Sequence, residues 1–321
     1  MDHVNPPKLM AEVEAVSAKK AGLSVASMLL KGFLSGALLA YATAFAFKAA
    51  AGLEPGLAAL VAGTVFPVGF AMIVLLGLEL ATGNFALLPV GIARGRIGTA
   101  AMLRNWGWVY LGNFLGCVFT GALLAIALTE AFTHGSGALG AKLVAVAESK
   151  TLAYEAAGAS GWATAFVKGV LCNWMVALGT VLALTSTSNT GKIAAVWLPV
   201  STFFALALEH SIVNMFVMPT AMLLGADIGI GQWLLWNQIP VTLGNIVGGA
   251  LLTGLLLHFA HGAAPQGTAR EAASTPASAD APVPDCDGAR RPPVPRAPSP
   301  PAPRPQSPTV RSDAPPGGPA P

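Results

Sequence analysis

The chain has 321 residues, of which 54% are hydrophobic and only 10% are charged, and its mean hydropathy is +0.63. Soluble globular proteins carry about 25% charged residues, so this composition excludes a soluble domain and indicates an integral membrane protein. The net charge of +3 is too small to indicate a nucleic-acid partner. Three cysteines are too few for a disulfide framework, and we expect all three to be free.

Residues 1–21 form a polar arm that ends in Lys19-Lys20, and six apolar stretches follow within residues 22–261. About 20 apolar residues are enough for a helix to cross a bilayer. Six spans place both termini on one side, and the basic residues of the arm share that side with Arg94, Arg96 and Arg104. Cytoplasmic connections carry the excess of lysine and arginine, so we predict that both termini are cytoplasmic. The predicted spans lie at about 23–50, 55–93, 105–129, 169–191, 193–224 and 232–259.

The composition changes sharply at the end of the sixth stretch. Seventeen of the 25 prolines fall within residues 262–321, where alanine, serine and arginine are also common. Such a segment buries too little apolar surface to offset the entropy lost on ordering. We therefore predict a disordered, proline-rich cytoplasmic tail.

Three groups of residues recur in the same order in the two halves of the chain, at offsets of 130 to 137 positions. Each half contains three predicted spans, and an odd number makes the second half enter the membrane in the opposite orientation. The prediction is an all-α polytopic protein of two inverted three-helix repeats, at about 22–130 and 160–261, with an aquaporin-like architecture and interrupted second and fifth helices. The recurring residues are Lys31-Gly32 and Lys168-Gly169, Glu79 with Asn84 and Glu209 with Asn214, and Asn105 with Asn113 and Asn237 with Asn245.

His210 is the only histidine in the middle of an apolar stretch. A titratable group in a bilayer costs about 2.5–3.5 kcal/mol on insertion scales, so it is a candidate functional residue, although a hydrogen-bonded packing histidine remains the alternative. Glu79 and Glu209 could carry protons, but we favour carboxylates that accept hydrogen bonds from backbone N–H groups at the interruptions. Asn84 and Asn214 are interpreted as helix-end caps.

Several segments resemble signature motifs of the formate/nitrite transporter family. The resemblance covers roughly residues 10–260 and implies a homopentamer of six-helix protomers in a bacterial inner membrane. Each protomer would have its own pore for small monovalent anions such as formate, nitrite or hydrosulfide. The motif-bearing segments are residues 77–84, 105–116, 168–176, 209–215 and 237–249.

The resemblance also implies roles for individual residues. His210 matches the central pore histidine, Thr82 the threonine that bonds to it, Asn173 a polar pore residue and Lys150 the entrance lysine. Ala81 stands where the family usually has phenylalanine, and an apparent insertion lies between Thr151 and Ala165. The outer apolar constriction would contain Phe66, Phe70 and Phe203, and the inner one Leu80 and Val176.

These residues favour transport over other functions. An imidazole with an ordinary pKa near 6.5 could exchange a proton with a weak acid, or it could supply hydrogen bonds only, as in an anion channel. Formate is the first candidate substrate, with nitrite or hydrosulfide as alternatives. A neutral-solute channel of the water and glycerol type would need paired Asn-Pro-Ala loops, and the sequence contains none. The polar residues do not form a metal-ligand pattern, so we expect no enzyme activity, metal or cofactor.

Overall fold

The computed structural model describes residues 3–261, and the predicted proline-rich tail and Cys286 lie outside that range. Within it, regular secondary structure is helical, as the hydropathy predicts. The α-helices are α1 Pro6–Ala21, α2 Val25–Ala49, α3 Pro55–Val65, α4 Pro67–Leu75, α5 Ala81–Ala93, α6 Thr99–Leu128, α7 Gly137–Ser149, α8 Leu152–Ala156, α9 Ala159–Leu182, α10 Asn189–Ala205, α11 Ser211–Leu223, α12 Ile230–Trp233, α13 Ile239–Val247 and α14 Leu256–His261. Wider π-helical turns join α12 to α13 (Leu234–Gln238) and α13 to α14 (Gly248–Leu255).

Five helical stretches in residues 3–261 are long and apolar enough to cross a membrane. The sequence predicts six spans, and the difference lies in the fifth: α10 has only 17 residues, and a break separates it from the shorter apolar helix α11. The second span is also divided, since α4 ends five residues before α5 begins. The five long stretches are Val25–Ala49, Pro55–Leu75, Thr99–Leu128, Ala159–Thr185 and Ile230–His261.

Glycines allow the long helices of each half to approach closely. A Cβ added to Gly36 on α2 would collide with the carbonyl of Asn113 on α6, and one added to Gly116 would collide with the carbonyl of Phe33. The second half has the same arrangement, because Gly244 on α13 faces the backbone of Phe166 on α9. Small residues allow the dispersion and hydrogen-bond contacts that hold helices together where water does not drive their association.

The polar arm is not detached from the helical bundle. Leu9, Met10 and Val13 on α1 are buried in one apolar cluster with Leu87 and Val90 on α5. At the surface, the Glu14 carboxylate forms an ion pair with Arg96 in the connection that follows α5. The arm predicted from residues 1–21 is therefore a helix packed across the end of α5.

The backbone leaves the helical conformation at residues 76–80 and 206–210. The N–H of Ala81, at the start of α5, donates to Asn113 Oδ1 at 2.9 Å, and the N–H of Ser211, at the start of α11, donates to Asn245 Oδ1 at 2.8 Å. Asn113 also donates to the carbonyl of Glu79. Asn245 does the same for Glu209. Irregular backbone at membrane depth requires partners of this kind, because lipid offers none.

A left-handed residue begins each break. Gly77 has φ of 61° and Ala207 has φ of 50°, at corresponding positions of the two halves. That conformation costs a residue with a Cβ about 1–2 kcal/mol but costs glycine little. The second break therefore carries backbone strain that the first one avoids.

We predict that Gly77→Ala and Ala207→Gly change stability in opposite directions. Gly77→Ala should destabilise the protein by about 1 kcal/mol, because it introduces the strain present at Ala207. Among the described residues nothing lies within 4 Å of a Cβ built on Gly77, so the added methyl group causes no steric clash and the change in stability reports the backbone strain. Thermal unfolding midpoints of the purified protein in detergent would measure both effects, and shifts of the same sign would contradict the explanation.

Candidate functional site

His210 and Thr82 meet at the point where the two short helices begin. His210 Nε2 lies 3.2 Å from Thr82 Oγ1, and the two residues are 2% and 0% exposed. Thr82 belongs to the first turn of α5, and His210 is the N-cap of α11. The breaks thus bring together two helix N-termini, each of which carries a partial positive charge.

The hydrogen bonds of His210 define its neutral tautomer. Nδ1 accepts from the N–H of Val213 at 3.2 Å, so Nε2 carries the hydrogen of the neutral ring. Nε2 therefore donates to the Thr82 hydroxyl, whose own hydrogen can be donated to a third group. The ring also stacks on Phe203, with centroids 5.5 Å apart.

Two cavities approach this point from opposite ends of α2. The larger cavity has a volume of about 680 Å³ and includes His210 and Lys150 in its wall, together with Phe47 near the end of α2. The smaller one, of about 210 Å³, includes Lys20 and, near the start of α2, Lys31. Five predicted site residues line neither cavity and are fully buried: Thr82, Asn173, Val176, Phe66 and Glu209.

Asn173 supports the centre through the backbone. Its Nδ2 donates to the carbonyl of Thr82 at 3.0 Å and to the carbonyl of Asn245 at 2.6 Å. Its Oδ1 has no hydrogen-bond partner among residues 3–261, although it is buried. The amide thus joins α9 to both halves and leaves one acceptor unused next to the site.

The predicted aromatic constriction is divided between the two cavities. Phe203 lines the larger cavity, and Phe66 packs edge-on against it with ring centroids 5.6 Å apart. Phe70 instead lines the smaller cavity, as Leu80 does. The family resemblance implies a place for Phe70 in the outer constriction, with Phe66 and Phe203. Phe70 lies four residues after Phe66, which corresponds to a helical rise of about 6 Å and separates the two rings along the helix.

Phe204 belongs to the aromatic group, although sequence reasoning missed it. Its ring stacks on Phe66 with centroids 3.9 Å apart and lines the larger cavity. The signal in the sequence was weak, because adjacent residues on a helix do not share a face. Ala81 is fully buried and lines neither cavity, whereas the neighbouring Leu80 lines the smaller one.

A buried lysine–carboxylate–amide cluster lies beside each cavity. Beside the smaller one, Lys20 Nζ is 2.9 Å from Glu79 Oε1, and Asn84 Nδ2 donates to Glu79 Oε2 at 2.8 Å. Beside the larger one, Lys150 Nζ is 3.1 Å from Glu209 Oε2, to which Asn214 also donates at 2.9 Å. Buried charges are tolerated when they are paired and hydrogen-bonded in this way.

Each cluster also includes a second asparagine, Asn105 in the first and Asn237 in the second, and the two asparagines make corresponding hydrogen bonds. Asn105 accepts from Asn84 at 2.8 Å and donates to the carbonyl of Lys20 at 3.0 Å. Asn237 makes the same pair of bonds, at the same distances, to Asn214 and to the carbonyl of Lys150. Sequence reasoning missed Lys20, but the offset of 130 positions that relates Glu79 to Glu209 also relates Lys20 to Lys150.

The predicted partners of the two carboxylates were wrong. Glu79 and Glu209 accept from lysine and asparagine side chains, whereas the backbone N–H groups at the breaks donate to Asn113 and Asn245. An asparagine oxygen on a neighbouring helix reaches the break directly. Asn84 and Asn214 likewise bond to carboxylates rather than capping a helix end.

The apparent insertion after Thr151 contains the short helix α8. It does not remove Lys150 from the site, because the lysine remains in the wall of the larger cavity. Tyr154 on α8 donates its hydroxyl hydrogen to Glu209 Oε1 at 2.8 Å. The insertion thus adds a polar contact to the cluster beside the larger cavity.

Comparisons with known proteins agree with this arrangement. Residues 7–259 match the sequence model of the family described as formate/nitrite transporter. A "Probable formate transporter" of Methanothermobacter thermautotrophicus is 36% identical over 80% of this chain and 97% of its own length. The "Nitrite transporter NirC" of Escherichia coli is 33% identical over 63% of this chain and 72% of its own length.

A solved structure has a similar fold. It is described as a "Pentameric formate channel with formate bound", has a TM-score of 0.62 and is 26% identical, and the match covers 74% of this chain and 98% of that one. The family match spans nearly all of the described helices. The chain therefore belongs to the formate/nitrite transporter family of membrane proteins.

Proposed function

We propose that this protein carries small monovalent anions, formate first among them, between the two cavities through the His210–Thr82 contact. The observation that carries the proposal is the position of this contact, at two converging helix N-termini between cavities at opposite ends of α2. Membership of the family and the likeness to a formate transporter over 80% of the chain support it.

Each part of the path has a physical task. Lys150 and Lys20 attract an anion into their cavities, where the apolar residues remove most of its water. Transfer of a bare ion into such surroundings is costly, whereas a neutral weak acid loses far less hydration free energy. The Nε2–H of His210 and the hydroxyl of Thr82 compensate the dehydrated anion. A proton that His210 first takes up from water in one cavity can then pass to the anion, which crosses as the neutral acid and leaves the ring neutral. Phe66 with Phe203 forms the first constriction, and Leu80 with Val176 and Phe70 the second.

The two halves of the protein form an inverted repeat of three spans each. The paired clusters support this inference, since the bonds of Glu79, Asn84 and Asn105 recur in the second half. The directions of α2 and α9 support it as well. α2 runs from the smaller cavity to the larger, while α9 starts beside Tyr154 at the larger one and reaches the smaller one at Thr180.

The membrane arrangement follows from this plan. Six crossings at residues 22–261 place the arm (residues 1–21) and the tail (residues 262–321) in the cytoplasm of a bacterium, with the smaller cavity facing inward. Five protomers form the assembly in the inner membrane, each with its own path. The relative described as a pentameric formate channel supports this oligomer, as do the large apolar residues exposed along α2 and α6, such as Leu34, Tyr41 and Phe119.

Nitrite is the second candidate substrate. The likeness to the Escherichia coli nitrite transporter favours it. Nitrite and formate are both small, planar, singly charged anions of weak acids, so one hydrogen-bond donor pair at His210 and Thr82 suits either. Their relative uptake rates in one preparation would separate them.

Replacement of His210 tests the central role of the imidazole. We expect His210→Ala to reduce formate and nitrite uptake into proteoliposomes about tenfold or more, because hydrogen bonds to a charged group contribute roughly 1.5–3 kcal/mol. If the ring transfers a proton, native uptake should increase from pH 8 to pH 5, and this increase should be absent in His210→Ala. The matched control is His134→Ala, because His134 is exposed in the connection after α6.

Two outcomes would contradict the proposal. Equal uptake by native protein and His210→Ala at every pH would remove the imidazole from transport. Absence of uptake of both anions by the native protein would reject the substrate class.

The hydroxyl of Thr82 gives a separate prediction. Thr82→Val keeps the shape of the side chain but removes the hydrogen bond to His210, so uptake should decrease about fivefold, whereas Thr82→Ser should retain most of it. Thr64→Val is the matched control, because the Thr64 hydroxyl bonds to the carbonyl of Leu60 within its own helix. Equal rates for the valine and serine variants would show that the hydroxyl has no part in transport.

A further inference from the structure

The two lysine–carboxylate–amide clusters differ in the donors that reach the carboxylate, since Glu209 also accepts from Tyr154 and, at 3.4 Å, from Asn237. Glu79 receives Lys20 on Oε1 at 2.9 Å and Asn84 on Oε2 at 2.8 Å, so each oxygen has its own donor. On Glu209, the position that corresponds to that of the lysine is occupied by the hydroxyl of Tyr154, at 2.8 Å from Oε1. Lys150 is instead 3.1 Å from Oε2, the oxygen to which Asn214 also donates.

Tyr154 reaches this carboxylate because of its chain segment. Between α1 and α2 the first half has only Gly22, Leu23 and Ser24, whereas the second half has residues 150–158, including α8, between α7 and α9. Tyr154 is 8% exposed, and Lys168 Nζ lies 5.7 Å from its ring centroid. The chain has three tyrosines, and this one alone belongs to either cluster in residues 3–261.

Tyr154 is a hydrogen donor over the physiological pH range. Burial raises the pKa of its phenol above the usual value near 10, and the charge of Glu209 raises it further. The hydroxyl thus keeps its hydrogen and directs it to Oε1. A phenol that donates to an ionised carboxylate forms a charge-assisted hydrogen bond and occupies that oxygen.

Lys150 therefore shares its carboxylate oxygen with another donor, whereas Lys20 does not. Lys150 shares Oε2 with Asn214 and has a second, longer contact of 3.4 Å with the carbonyl of Leu208. Lys20 has Oε1 of Glu79 as its acceptor at a shorter distance. Both lysines line their cavities, so each ammonium is placed to attract an anion, and of the two only Lys150 pairs with a carboxylate oxygen that it shares with other donors.

We propose that Tyr154 is a positioning residue that holds Glu209 away from full pairing with Lys150 and makes the larger cavity the higher-affinity entrance for small monovalent anions. This inference rests on the proposed transport function. It predicts that the two cavity entrances differ in their affinity for anions, although both halves contain the same lysine, glutamate and asparagine residues beside the cavity. Without the phenol, Lys150 would take Oε1 as Lys20 does, and the two entrances would become more alike.

Tyr154→Phe tests the inference, with initial rates of formate transport measured in right-side-out and inside-out membrane vesicles. We expect the KM from the larger-cavity side to increase about fivefold, which corresponds to about 1 kcal/mol. The KM from the other side and the maximal rate should stay within about twofold of native. A purely structural effect would instead change the maximal rate or both KM values.

Tyr110→Phe is the matched control. Tyr110 is another hydrogen-bonded tyrosine and is half-buried, but its hydroxyl bonds to Thr242 and Gln238 and contacts neither carboxylate. We expect this variant to leave the ratio of the two KM values unchanged. A similar change of the ratio by both variants would overturn the inference.

Further outcomes have distinct meanings. Equal KM values for native protein and Tyr154→Phe on both sides, or loss of transport from both sides, would overturn the role of Tyr154 while transport by the native protein upholds the proposed function. If native vesicles transport neither formate nor nitrite, the proposed function itself fails, and the entrance asymmetry for these anions fails with it. Measurement from the unaffected side also shows that the variant is folded.

Discussion

The hydrogen bonds from Asn113 and Asn245 to the two breaks are the contacts on which the rest of the structure depends. A backbone that leaves the helix at membrane depth exposes N–H and C=O groups that lipid cannot satisfy. Each asparagine accepts from the first N–H of a short helix and donates to the carbonyl of the glutamate two residues before that helix. Without these side chains the N–H and C=O groups at the breaks would lose their hydrogen-bond partners, and the starts of α5 and α11 would not be stabilised at these positions.

The position of these helix starts determines the chemistry of the centre. Two N-termini with partial positive charge converge on His210 and Thr82, in a region that the cavities approach but do not join. The buried carboxylates of Glu79 and Glu209 do not cancel this positive charge, because each is paired with a lysine and an asparagine. The centre can therefore favour an anion while the surrounding charges remain compensated.

The two halves share their supporting cluster but differ at the centre of the proposed path. The shared cluster of lysine, glutamate and asparagine builds the same support twice. Leu80 and His210 are the two residues that precede the short helices, so one half ends in an apolar side chain and the other in an imidazole. Tyr154 adds a second difference, and Ala207 opposite Gly77 a third. None of these differences removes the lysine–glutamate ion pair or the asparagine bond to the same carboxylate.

The sequence by itself determined the class of protein, the apolar stretches, the recurrence of Glu79 and Asn84 as Glu209 and Asn214, and the isolation of His210. These features depend on composition and spacing along the chain, which bilayer thickness and helix geometry translate directly into structure. Only the tertiary structure decided that Asn113 and Asn245 satisfy the breaks, that Lys20 pairs with Glu79, that Phe70 faces the smaller cavity and that Tyr154 reaches Glu209. The physical reason is that these contacts join residues far apart in the chain, and lateral packing between helices, which no local pattern encodes, selects them.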